Sequence, residues 1–275
     1  MSSLTPQQIA KLVEFGESEA WVSMYRSMPP EFVEEFGVHT QYLGSAGVTV
    51  ASKLDWLFNR VLGIGVGVMA TEELIDAAID IYRSAGIKIF VIPISPFAQP
   101  AQLTKWLSAR GFIEGGNWAK VYRANDPAPS VQTDLRIEAI GIEDADPFGD
   151  IATRGFGIPQ QLAPSFSSTV GKPGWHSYLG YDGELPVATA GMYIKEDVAW
   201  LGQASTLESH RRRGAQSAMF ARRIQDGLDL GCSWFVTETW EDTPETPNPS
   251  YRNMLRAGFE LAYLRRNYVY KAPSN

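Results

Sequence analysis

Three consecutive arginines and a glycine, Arg211-Arg212-Arg213-Gly214, stand directly before a segment of helical character, Ala215 to Leu230. The N–H groups of a helix's first turn have no intrahelical partners, and the macrodipole adds partial positive charge there. A diphosphate docked at that point would receive several N–H donors at once. Gly214 would let the backbone come close to the phosphates, and the arginines would raise the local positive potential. The formal charge of the chain is −7, and arginines at a helix N-terminus oppose the dipole's preference for acids. That conflict points to an anionic ligand.

Other chemistries find less support. The run Gly63-Ile64-Gly65-Val66-Gly67 invites a nucleotide-binding reading, but no acid on a following strand completes a dinucleotide fingerprint. The residues after it include Thr71-Glu72-Glu73; acids at a helix start cap it well and would repel a diphosphate. Three scattered histidines (His39, His176, His210) and one cysteine (Cys232) present no metal-ligand spacing, so no metal site is expected. A lone cysteine makes no internal disulfide, which fits a reducing cytoplasm. The negative net charge argues against a nucleic-acid binder. The longest apolar stretch, Val61 to Ala70, is too short for a bilayer, and Met1 to Phe15 lacks the pattern of a secretion signal. Hydrophobic content of 44% and charged content of 20% leave a globular protein of one large or two modest domains.

The elements that position the arginine–glycine turn recur along the chain. A Pro-rich polar stretch, Asn125-Asp126-Pro127-Ala128-Pro129-Ser130, divides two folded segments. Before it come a helix (Glu72 to Ala85), a strand (Ile87 to Ile94), a helix (Gln99 to Ala109) and a strand (Trp118 to Tyr122). After it come a strand (Leu135 to Ile140), a helix (Glu143 to Phe156) and a Pro-bounded helix (Gln161 to Val170). Strands at Ser177 to Tyr181 and Val187 to Tyr193 flank the hairpin turn Asp182-Gly183, and a third runs from Val198 to Leu201 or slightly beyond. The helix Ala215 to Leu230, the strand Trp234 to Thr239, the helix Ser250 to Ala257 and a strand ending at Tyr268 to Tyr270 then repeat the earlier order. The endings SARGFIEGGNWAKVYRA and LRAGFELAYLRRNYVYKA can be laid side by side, each with a helix-ending glycine and an aromatic that packs back on the helix. A repeat of this length suggests duplicated domains: 1–125, a linker at 126–134, and 135–275. Trp21, Tyr25, Trp56 and Trp106 read as core residues.

The stretch Arg211-x-x-Gly214-x-Gln216 after a strand resembles motif A of the GNAT superfamily of acyl-CoA N-acyltransferases, with glutamine where the motif has a small residue. Asn248, followed by Gly258-Phe259, resembles its motif B helix. The resemblance covers Leu135 to Tyr270; the N-terminal half resembles only the later elements, and weakly. It implies an α/β fold of two tandem GNAT-like domains, each a mostly antiparallel twisted sheet flanked by helices, the first degenerate and without a cofactor motif. It implies acetyl-CoA as co-substrate, with the pantetheine arm on Ala204, Ser205 and Thr206. The pyrophosphate would sit on the amides of Arg212, Arg213, Gly214, Ala215, Gln216 and Ser217 beside Arg211, and Asn248 near the thiol end. The activity implied is acetyl transfer to the amine of a small molecule or peptide, with no nucleic-acid or membrane partner; a homodimer is left open.

Such a reaction needs a carboxylate to take a proton from the amine. Glu238, on the strand WFVTET, is the first candidate, with Glu208 and Glu241 behind it. The departing thiolate benefits from an acid. The position four residues before Gly258, where the family usually has tyrosine, holds Met254, which cannot donate a proton; Tyr251, one turn earlier, is the substitute. Met254 also keeps an alternative open, an acyl-CoA-binding or sensor protein without catalysis.

Overall fold

Thr5 and Gln8 cap each other reciprocally, with Pro6 in the first turn; this capping box starts a long helix. The computed structural model describes residues 4–272; the outermost residues of the two expected units, 1–3 and 273–275, lie outside the described residues. That first helix, α1 (Pro6–Ser27), precedes α2 (Pro30–Phe36), β1 (Val38–Leu43), β2 (Ala46–Ala51), β3 (Arg60–Leu62), α3 (Glu72–Ser84), β4 (Ile89–Ile94), α4 (Leu103–Ala109) and β5 (Ile113–Ala124). Residues 126–133 form neither helix nor strand. The second repeat contains β6 (Arg136–Ile140), α5 (Ala145–Phe156), α6 (Pro164–Ser167), β7 (Trp175–Asp182), β8 (Leu185–Lys195), β9 (Val198–Thr206), α7 (Ala215–Asp229), β10 (Trp234–Trp240), α8 (Pro249–Arg256) and β11 (Glu260–Lys271).

Two helices differ from expectation. The helix expected from Gln99 begins only at Leu103, because both backbone polar groups of Gln99 are engaged elsewhere: its N–H donates to the Gly65 carbonyl and its carbonyl accepts from Ala70. The helix expected over Gln161 to Val170 is a single turn at Gln160–Leu162 followed by the four-residue α6. Pro164 supplies no N–H and so restarts the helix rather than continuing it.

The strands form one mixed sheet in the order β1-β2-β3-β4-β11-β5-β10-β9-β8-β7-β6. The two repeats exchange their last strands. β5 of the first lies antiparallel to β10 of the second, with Lys120 opposite Glu238. β11 of the second lies antiparallel to β4 of the first, with Asn267 opposite Pro93. β5 and β11 also pair with each other, so the join between repeats is a continuous hydrogen-bonded ladder. Helices α3 and α4 cover a core that includes Ile75, Tyr82, Phe90, Ile92 and Leu103. α7 and α8 cover another with Phe220, Ile224, Phe235 and Met254. Residues alternate between the faces of a strand; Phe235 enters the core beneath α7 and Val236 the core beneath α1. α1 therefore lies on the opposite face and reaches strands of both repeats. Each large apolar side chain so buried contributes roughly 1.5–3 kcal/mol. Trp21, Tyr25 and Trp106 pack into or against these cores, as expected; Trp56 does not, and stands half-buried with its ring edge-on to Trp240. Among the described residues no helix is long and apolar enough to cross a membrane.

Candidate functional site

β9 and β10 run parallel and pair only at Val198–Trp234, Ala199–Phe235 and Trp200–Val236. Both strands continue for several residues, so they part. The cause lies on the other side of β9. Its register against β8 shifts between Thr189 and Gly191, and Gln203 takes a left-handed conformation with φ of 52°. Such a bulge bends its strand and strengthens the local twist. Arg223 of α7, fully buried, donates from Nη1 to the carbonyls of Gly191 and Gly202 and holds the bulge from beneath. Ala204, Ser205 and Thr206 follow on the diverging end of β9, where the resemblance places the pantetheine arm. The Ser205 hydroxyl points away from the ladder, into contact with Thr189 and the Ile151 carbonyl.

The turn at the end of β9 leads directly into α7. Arg212 has φ of 66° and Gly214 φ of 84°, and Gly214 caps the helix without any side-chain hydrogen bond. Among the described residues no amide from Arg212 to Ser217 donates to a backbone or side-chain acceptor, and the first intrahelical bond runs from Ala218 to Gly214. The first turn of α7 carries no acid. The three arginines diverge in role. Arg211 binds the carbonyls of Thr206 and Gly155, tying the strand end to α5. Arg213 is paired with Asp182 at 2.6 Å and Asp134 at 2.5 Å, so its charge is neutralised, contrary to the expectation that all three arginines raise the local potential. Arg212 is exposed and has no ion pair among the described residues.

Gln216, the departure from the small residue of the motif, turns toward α8. Its amide donates to the Ser250 hydroxyl at 2.8 Å and accepts from Asn253. Asn248 is the N-cap of α8, accepting from the amides of Ser250 and Tyr251. Its own amide donates to Thr239 and to the Trp240 carbonyl. Every hydrogen-bonding group of that side chain holds α8 to β10. Met254 is buried in the core beneath α7, and the Tyr251 ring packs partly buried against the same core. Of the reserve carboxylates, Glu208 is exposed in the single turn before Arg211, and Glu241 accepts from Asn117.

Glu238 stands at the base of the gap on the α1 face. Its carboxylate accepts from Trp200 Nε1 at 3.2 Å and from Lys120 Nζ at 2.9 Å. Burial pushes this carboxyl up, as does the Glu17 charge; Lys120 and Arg265 oppose. Lys120 also donates to Glu17 at 2.9 Å. Glu17 in turn receives both terminal nitrogens of Arg265, with Arg60 at 3.5 Å. Burial raises the Glu17 carboxyl, but Arg265, Lys120 and Arg60 together hold it well below the usual carboxylate range. Glu14 accepts from Arg265 and from the Tyr263 hydroxyl. Sequence reasoning missed Lys120, Glu17, Trp200 and Arg223. A signal existed for one of them: Glu14 and Glu17 share a helix face with Ala10, Val13 and Ala20, where acids are costly unless paired.

No family model matches the sequence, and no curated protein matches it. Solved structures do match in shape. A GCN5-related N-acetyltransferase from Kribbella flavida is similar with a TM-score of 0.63 at 16% identity, over 96% of this chain and 96% of that one. A tandem GNAT protein from the clavulanic acid biosynthesis pathway is similar with a TM-score of 0.59 at 14% identity, over 98% and 96%. A GCN5-related N-acetyltransferase from Sphaerobacter thermophilus gives 0.58 at 12% identity, over 99% and 96%. At such identities the likeness is one of fold: the chain has the GNAT N-acetyltransferase fold in its tandem form.

Proposed function

We propose that this protein moves an acetyl group from acetyl-CoA to the amine of a small-molecule or peptide acceptor, by direct attack of the amine on the thioester. The observation that carries this reading is the run of unengaged amides from Arg212 to Ser217 at the mouth of a strand gap. A diphosphate needs several convergent donors and no competing acid; this turn offers both, with Arg212 free beside it. The pantetheine arm has amides of its own and would pair with the open edge of β9 at Ala204, Ser205 and Thr206.

The acceptor amine is mostly protonated at neutral pH and attacks only after losing a proton. Glu238, buried at the base of the gap with a carboxyl pushed up, is suited to take one. Tyr251 is the proton donor we assign to the leaving thiolate; a thiol of ordinary pKa near 8.5 is a fair leaving group in any case. Asn248 and Gln216 act indirectly, by docking α8. The formal charge of −7 favours a cationic acceptor over an anionic one. The one cysteine, Cys232, is buried with its thiol pushed up to about 11 by burial and by Asp197, which fits the cytoplasmic setting we assign.

Titration with acetyl-CoA by calorimetry tests the reading: heat is expected, and the absence of both heat and thermal shift at millimolar ligand overturns it. A second reading draws on the burial of Met254 and on the engagement of Glu238 by Lys120: an acyl-CoA-binding protein that does not turn over. It requires binding without release of free CoA in the presence of a panel of amines.

A further inference from the structure

The buried cluster between α1 and the sheet contains three carboxylates and three cations. Glu14 and Glu17 come from α1, Arg60 from β3, Lys120 from β5, Glu238 from β10 and Arg265 from β11. They are not compensated equally. Glu17 receives Arg265 through two nitrogens, Lys120, and Arg60 at longer range. Glu14 receives Arg265 and a tyrosine hydroxyl. Glu238 receives one cation, Lys120, which it shares with Glu17, and one neutral donor, Trp200. Glu14 and Glu238 each have one cation and one neutral donor, and of the two only Glu238 stands at the strand gap, so it is the carboxylate placed to exchange a proton with an acceptor. Proton uptake at Glu238 leaves Lys120 held by Glu17, so the rest of the cluster keeps its partners.

Lys120 belongs to the first repeat. It reaches Glu238 only because β5 is inserted beside β10. We propose that Lys120 is a positioning residue for the second repeat: shared between Glu17 and Glu238, it holds the Glu238 carboxylate ionised and in place, and Glu17 sets how much of the Lys120 charge Glu238 receives. The strand exchange thereby makes the first repeat part of the proton-handling site of the second. This inference rests on the reading of Glu238 as the group that takes the proton.

Carbon-13 NMR titration of glutamate-labelled protein tests it without substrate, with E238Q identifying the Glu238 signal. Tyr25, Tyr263 and the other cluster members also face this space, so the variants are chosen for opposite signs. K120M removes the nearest cation and is expected to move the Glu238 midpoint up by about one to three pH units; K120R restores most of it. E17Q removes a like charge and frees Lys120, and moves the midpoint down. Where turnover is measurable with an amine from the panel, the acid limb of the pH profile follows in the same directions. An unchanged midpoint in K120M or in E17Q overturns the proposal, and E17Q decides alone where K120M does not fold. Acetyl-CoA binding to the unmodified protein is scored separately: its failure would remove the acyltransfer reading while the NMR result still decides what Lys120 does to Glu238.

Discussion

Both repeats part a pair of parallel strands and follow the first of them with a helix, yet they treat the gap in opposite ways. In the second repeat β9 and β10 diverge after Trp200 and Val236. Beyond the contacts of Trp200 with Glu238 and of Thr237 with the Leu201 carbonyl, no hydrogen bond crosses that gap among the described residues. In the first, β3 and β4 pair only at Arg60–Val91, and the chain after β4 returns to close the space. Gln99 donates to the Gly65 carbonyl and accepts from Ala70. The segments after β4 and β10, residues 95–102 and 241–248, are equal in length, so length does not decide the outcome. Local chemistry does. In 241–248 the polar groups are used within the loop, on α8 and on the adjoining β5 and β10, none of them across the gap: Asp242 holds Arg252 and the Asn248 amide, Thr243 holds Thr246, Glu241 holds Asn117, and Asn248 donates to Thr239. The helix starts differ in the same sense. α3 is capped by the Thr71 side chain and begins with Glu72 and Glu73, whereas α7 begins at Gly214 without a side-chain cap or an acid. One topology therefore yields a sealed core or an open cleft according to where a short loop spends its hydrogen bonds.

The largest expected effect tests the residue that most separates the repeats. Asn267 stands as far beyond Phe259 as Lys120 stands beyond Phe112, so the pair Pro93–Asn267 is the counterpart of Glu238–Lys120. Proline cannot exchange a proton. E238Q keeps the shape and gives the second repeat the same lack. It is expected to lower kcat by roughly 10²–10⁴-fold, the usual worth of a positioned general base, with acetyl-CoA affinity nearly unchanged. Steady-state kinetics alongside calorimetry would check it; a kcat within about threefold of the parent, far short of that range, assigns proton removal elsewhere.

The next effect compares two glycines in left-handed conformations. Gly214 (φ 84°) opens α7, and a Cβ there would lie 3.4 Å from the Gln132 carbonyl and from Thr133. Gly65 (φ 76°) sits in the sealed gap, and a Cβ there would lie 2.8 Å from the Gln99 carbonyl. Either substitution carries roughly 1–2 kcal/mol of backbone strain. G214V also displaces the amides that would hold the diphosphate. Losing two charge-assisted hydrogen bonds, about 1.5–3 kcal/mol each, weakens acetyl-CoA binding by roughly a hundredfold or more. G65A should lower the melting temperature as its steric conflict demands and leave acetyl-CoA affinity unchanged. If G65A weakened binding as much as G214V, the sealed gap would be a ligand site and the contrast between repeats would fail.

What was legible in the chain follows from the same physics. The turn at Arg211 to Gly214, the helix after it, and the paired Gly-Phe endings are local patterns, and each appears where the residues indicate. α1 was not legible by periodicity because Glu14 and Glu17 interrupt its apolar face; only their pairing with Arg265, Lys120 and Arg60 makes that face fit to bury. Its capping box at Thr5 to Gln8 was the available cue. The strand exchange was not legible because β5 and β11 are so alike that pattern alone allows either to pair within its own repeat. Lys120, between Ala119 and Val121, reads as a solvent-facing residue of an edge strand until β10 and β11 enclose it. The role of Gln99 depends on a partner more than thirty residues earlier, which no window contains.

The smallest effect concerns the arginines, where the side-chain partners reorder what the run of three suggests. Arg213 is already neutralised by Asp134 and Asp182, so R213A frees two acids near the turn and removes little positive potential from a ligand. Arg212 is exposed and unpaired among the described residues, and an exposed contact of this kind is worth about 1 kcal/mol at most. R212A is therefore expected to weaken acetyl-CoA binding by roughly fivefold, and to reduce its dependence on salt because an exposed charge is the one that ions screen. R213A should weaken binding through Asp134 and Asp182 repelling the diphosphate, an effect that disappears in the triple variant lacking both acids as well. Calorimetry of the three at low and high ionic strength separates the two roles. Should R212A leave both affinity and salt dependence untouched, the anion at this turn would be held by the backbone of Arg212 to Ser217 alone, and the first repeat would differ from the second in its amides rather than in its charge.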